Sequence, residues 1–89
     1  MTLPLDPARI RAEFPAFAEP SLKGLAFFEN AGGSYTSRQV LDRLNHYYTA
    51  SKLQPYGHFA VSQRAGAAMD LAFERIAAAL NVTPDWVQF

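Results

Sequence analysis

The chain has 89 residues, with eight Lys+Arg against eight Asp+Glu and no cysteine. That length bounds it to one domain at most, and the lack of cysteine excludes a disulfide scaffold, a thiolate metal site and a cysteine nucleophile. Zero formal charge without a basic run argues against nucleic acid and anionic membrane surfaces as partners, and no apolar run approaches the ~18–20 residues that span a bilayer.

Pro4, Asp6 and Pro7 stand where a signal peptide would carry basic and then apolar residues. The absence of cysteine makes a reduced, cytoplasmic setting the expectation. Asp6-Pro7 predicts a helix start, because the carboxylate can cap free amides and proline suits the first helical position. With Ile10, Glu13 and Phe14 the pattern gives a helix over 7–14, stopped by Pro15. An irregular segment through Phe17, Pro20 and Ser21 leads to a turn at Lys23-Gly24. Leu25-Ala26-Phe27-Phe28 is an apolar run of strand length, so a short strand is expected over 25–28.

Thr36-Ser37-Arg38-Gln39 has capping-box form and predicts a helix over 37–52. Val40, Leu44, Tyr47 and Ser51, joined by Leu41 and Tyr48, mark its apolar face, with Arg38, Asp42, Asn45, Thr49 and Lys52 opposite. A loop around Pro55-Tyr56-Gly57 follows. Ala65, Met69, Ala72, Phe73, Ile76 and Leu80 then keep helical spacing, giving a third helix over 60–80 whose alanines widen the apolar surface beyond one stripe. Asn81 suits a helix end, Thr83-Pro84-Asp85 a turn, and Trp86–Phe89 the opening of a second strand over 86–89. The expected class is mostly α with short β segments, in a single segment over 1–89.

Such a chain is marginal by itself. An ideal globule of this mass buries apolar surface contributing about 130 kcal/mol at ~25 cal/mol per Å². Ordering 89 residues costs about as much. Any surplus must come from a partner surface or from further polypeptide.

Asn30-Ala31-Gly32-Gly33-Ser34 is the most suggestive stretch. Glycines between a strand and a helix let backbone approach a ligand, and exposed amides there attract anions. The plainer reading is a turn that needs positive φ. His46, four residues after Asp42, fits a helix-surface pair. One histidine without further ligands makes no metal site. His58 lies beside Gly57 in a loop, where either a structural or a functional role fits. No Ser/His/Asp set, paired carboxylates or metal-ligand cluster is present, so no catalytic or metal-binding residue is assigned.

Taken in order, Ile10-Arg11-Ala12-Glu13-Phe14-Pro15, Phe27-Phe28-Glu29-Asn30-Ala31-Gly32-Gly33, the helix from Gln39 to Tyr48, Gly57 to Arg64 and the alanine-rich helix ending at Leu80 form one pattern. It resembles the start of class V aminotransferase-fold enzymes, and most closely their cysteine-desulfurase-like, selenocysteine-lyase-related branch. The resemblance implies the N-terminal, small-domain part of an α/β pyridoxal-phosphate (PLP) enzyme acting on an amino acid by carbon–sulfur or carbon–selenium lysis or related chemistry. It places Asn30, Ala31, Gly32 and Gly33 on the substrate side, and Gly57, His58, Phe59 and Ser62 near the active site or a homodimer interface. Pro55-Tyr56-Gly57 stands where desulfurases carry His-Arg-Gly. The Schiff-base lysine, the acid facing the pyridine nitrogen and the phosphate loop would all lie beyond the equivalent of Phe89. PLP therefore belongs to the full-length enzyme, and the segment is expected to be inactive and cofactor-free alone. Its partners would be the rest of its own chain and a second subunit. Two other classes stay open: a small helical protein-interaction module without activity, and an anion-binding domain using the Asn30–Ser34 loop.

Overall fold

Asp6 and Pro7 begin the first helix. In the computed structural model, which describes residues 4–89, an Asp6 carboxylate oxygen accepts the Arg9 N–H at 3.1 Å and α1 runs Pro7–Ala12. Glu13 is its cap rather than part of its body, so the helix is shorter than the expected 7–14. The chain forms two compact units, the first running to His46 and the second comprising Tyr47–Phe89.

In the first unit, prolines open two 3-10 turns, Pro15–Ala18 and Pro20–Leu22. The Glu19 carboxylate caps the second, accepting the Ser21 N–H at 3.3 Å and the Ser21 hydroxyl at 2.9 Å. Helix α2 covers Arg38–His46, and the Ser37 carbonyl accepts the first helical bond, from the Leu41 N–H. The capping-box expectation is redirected: the Gln39 carboxamide donates to the Glu13 carboxylate instead of returning to Thr36. The charged acceptor makes the stronger hydrogen bond. Beside it the Arg38 N–H donates to the Glu13 carbonyl at 2.8 Å, and the Arg38 guanidinium to the Ala12 carbonyl at 2.7 Å. The start of α2 thereby satisfies carbonyls left open at the end of α1. Four rings form a chain, Phe14–Phe17 at 6.4 Å, Phe17–Phe27 at 6.2 Å and Phe27–Tyr35 at 5.0 Å between centroids. No described residue of this unit is buried.

The second unit begins with a π-helical turn, Tyr47–Ser51. The expected helix over 37–52 is therefore α-helical only to His46, and its tyrosines are exposed instead of forming a core stripe. Helix α3 spans Ala60–Leu80, as expected. Asn81 stops it with a left-handed φ of 57°; its N–H donates to the Ala78 carbonyl and that of Val82 to the Ala77 carbonyl. This paired arrangement closes the last carbonyls of a helix. The tail continues through a 3-10 turn, Pro84–Trp86, and sets the Phe89 ring 4.5 Å from that of Phe73. Ser62, Gly66 and Ala77 are the buried residues.

The described residues contain no strand, which corrects the expected strands at 25–28 and 86–89 and with them the α/β class. A strand exists through its ladder, because extended backbone needs a partner for its amides and carbonyls. Residues 25–28 join no ladder, and the Leu25 N–H donates instead to the Leu22 carbonyl at 3.2 Å, closing a turn. Pro84 starts a turn that takes in Trp86, where the second strand was expected to begin, and Phe89 packs by its ring.

Candidate functional site

Residues 30–33 form a tight turn. The Asn30 carbonyl accepts the Gly33 N–H at 3.3 Å, and the Ser34 hydroxyl donates to the Asn30 side-chain oxygen at 2.9 Å. Gly33 has a φ of +143°, a conformation that strains any L side chain. A Cβ on Gly32 would meet open space, so the backbone there is approachable. The Gly32 N–H donates to the Glu29 carboxylate at 3.4 Å. With that amide already facing an anion, the turn is poorly suited to phosphate.

The turn borders an open groove of about 620 Å³. Ile10, Phe14, Phe17, Phe27 and Tyr35 give it a mainly apolar lining, and Asn30, Gly33 and Ser34 bring the turn to its edge. Arg11 and Glu29 give the groove one cation and one anion. The Arg11 guanidinium lies 3.9 Å from the centre of the Phe17 ring, a cation–π contact that holds it over the apolar floor. Reading the turn alone missed Arg11 and the four rings. Their signal was a set of aromatics at 14, 17, 27 and 35 that fit no single helical or strand period.

The second group, Gly57, His58, Phe59 and Ser62, is built around Ser62. Its hydroxyl is fully buried, accepts the Gly57 N–H at 2.7 Å and donates to the Gln54 carbonyl at 2.5 Å. The Tyr56 N–H donates to the Ser62 carbonyl. Ser62 thus ties the loop to the first turns of α3, and both hydrogen-bonding functions of its hydroxyl are engaged. A Cβ on Gly57 would stand 2.6 Å from the Ser62 oxygen, which explains the glycine. Tyr56, at φ 64°, packs its ring on Gly66 and donates its phenol to Asp70 at 2.6 Å. That hydrogen bond to the carboxylate holds the Tyr56 phenol above its usual value. His58 and Phe59 are exposed, and the His58 carbonyl accepts from the Gln63 side chain at 3.3 Å.

The two groups belong to different units. Among the described residues no cluster of His, Cys, Asp and Glu could hold a metal, and no helix is long and apolar enough to cross a membrane. Of the chain's two lysines, Lys23 is exposed in a turn and Lys52 lies 5.1 Å from the Tyr48 ring centre. Neither lines the aromatic groove. No protein-family model, curated protein or solved structure matches the chain.

Proposed function

We propose that this chain is the N-terminal segment of a class V aminotransferase-like PLP enzyme of the cysteine-desulfurase or selenocysteine-lyase-like kind, working in the cytoplasm on an amino acid. The observation that carries the reading is the Asn30–Gly33 turn standing at the edge of an aromatic groove with both charge signs. In this reading the segment shapes the substrate entrance and contributes to contacts with the rest of its chain and with a second subunit. It holds neither the cofactor nor a catalytic residue. Exposed Phe28 (92%), Trp86 (79%) and Leu80 (64%) support the need for further polypeptide.

Recovering the native polypeptide from cells, reducing it with borohydride and mapping it by mass spectrometry tests the proposal. The expected result is a far larger subunit with a pyridoxyl-lysine outside residues 1–89. A native polypeptide without any pyridoxyl-lysine contradicts it.

A second reading, a non-catalytic helical interaction module, draws on the exposed Val61, Met69, Leu71 and Ile76 of α3. It predicts a defined oligomer of the 89-residue chain in sedimentation, where the enzyme-segment reading predicts aggregation or partial unfolding.

A further inference from the structure

The groove of the first unit combines three recognition elements that suit one class of small molecule. Its floor is aromatic, from Phe14, Phe17, Phe27 and Tyr35, and a planar or bulky apolar group gains both burial and ring–ring contact on such a surface. Arg11 brings a planar guanidinium suited to a carboxylate. It lies over the Phe17 ring, which fixes the cation without neutralising it. Glu29 brings a carboxylate suited to an ammonium; one of its oxygens accepts from the Gly32 N–H, which anchors it to the turn.

The groove carries one cation and one anion beside its aromatic rings, so a simple anion or a simple cation answers one sign only, whereas a zwitterion with a ring answers both signs and the aromatic lining. Cysteine and selenocysteine would leave the aromatic floor largely uncovered. We therefore infer that the groove binds a free α-amino acid with an aromatic side chain, its ring on the Phe/Tyr floor, its carboxylate at Arg11 and its ammonium at Glu29. As a statement about substrate, this rests on the reading of the Asn30–Gly33 turn as substrate-facing. As a statement about binding, it concerns only the first unit.

Titration of the native polypeptide, freed of any bound PLP, with L-phenylalanine, followed by NMR of selectively labelled Phe, Tyr and Arg side chains, tests it. The expected result is saturable shifts on the Phe14, Phe17, Phe27 and Tyr35 rings and on the Arg11 guanidinium. Binding should weaken about tenfold for 3-phenylpropionate, for 2-phenylethylamine and for L-alanine, the scale of one lost charge-assisted contact or of the ring. Arg11→Gln should abolish the preference for L-phenylalanine over 2-phenylethylamine, and Glu29→Gln that over 3-phenylpropionate. Arg11 is exposed, and the carboxamide of Glu29→Gln keeps an oxygen for the Gly32 N–H, so both variants preserve the turn. Absence of saturable shifts, equal affinity for L-phenylalanine and the three analogues, or unchanged preference in both variants overturns the inference. A native polypeptide without pyridoxyl-lysine alongside saturable binding would remove the enzyme reading and leave the site. The reverse outcome would remove the site alone.

Discussion

Replacing Ser62 with alanine removes the acceptor of the Gly57 N–H and the donor to the Gln54 carbonyl from a side chain with no solvent exposure. Unsatisfied partners of that kind cost about 1–3 kcal/mol. Ser62→Ala should therefore speed amide exchange at Gly57 and lower the denaturation midpoint, while Ser62→Thr, which keeps the hydroxyl, tests whether the pocket admits a methyl. At Tyr56 the prediction is one of pH. Its phenol donates to Asp70 and is held above the ordinary value of about 10 in the folded chain. The neutral, bonded phenol therefore contributes stability that is fully present below about pH 10 and disappears as pH rises through the higher folded value. Tyr56→Phe should be less stable at neutral pH and lack this alkaline loss, as read by denaturation at a series of pH values.

At the scale of elements, the end of α3 gives the sharpest test. Asn81 adopts a left-handed conformation that costs an ordinary L residue about 1–2 kcal/mol. Asn81→Gly should hold or raise helix stability, and Asn81→Val should lower it by at least about 1 kcal/mol, measured by amide exchange in the last turn of α3. Phe89→Ala removes a ring pair with Phe73 that contributes about 0.5–1.5 kcal/mol, and should loosen the tail first. Helix α3 was legible because its period runs unbroken for 21 residues and ends at a residue tolerant of positive φ. The proline and aspartate at α1 were equally plain local chemistry. The π-turn at Tyr47–Ser51 has no signature in hydrophobic spacing, since the apolar face continues through it. The strands failed for a related reason. Leu25–Phe28 has strand composition, but composition carries no information about a partner, and none of the described residues pairs with it. The groove was half legible: the Asn30–Gly33 turn stood out, whereas Arg11 joins it through a contact with the Phe17 ring, one turn of chain beyond α1.

For the molecule as a whole, the decisive feature is how little each unit encloses. The first unit has no buried described residue, and the second buries a serine, a glycine and an alanine. Apolar side chains from Phe28 to Trp86 meet solvent to degrees that a self-sufficient domain of this length does not tolerate well. In the proposed enzyme these faces are surfaces that further protein covers. Scanning calorimetry of the 89-residue chain addresses that claim most directly. A broad, weak transition is expected, with an enthalpy well below the ~60 kcal/mol of a cooperative domain this long. A single sharp, concentration-independent transition near that enthalpy, with equal calorimetric and van't Hoff values, would contradict it.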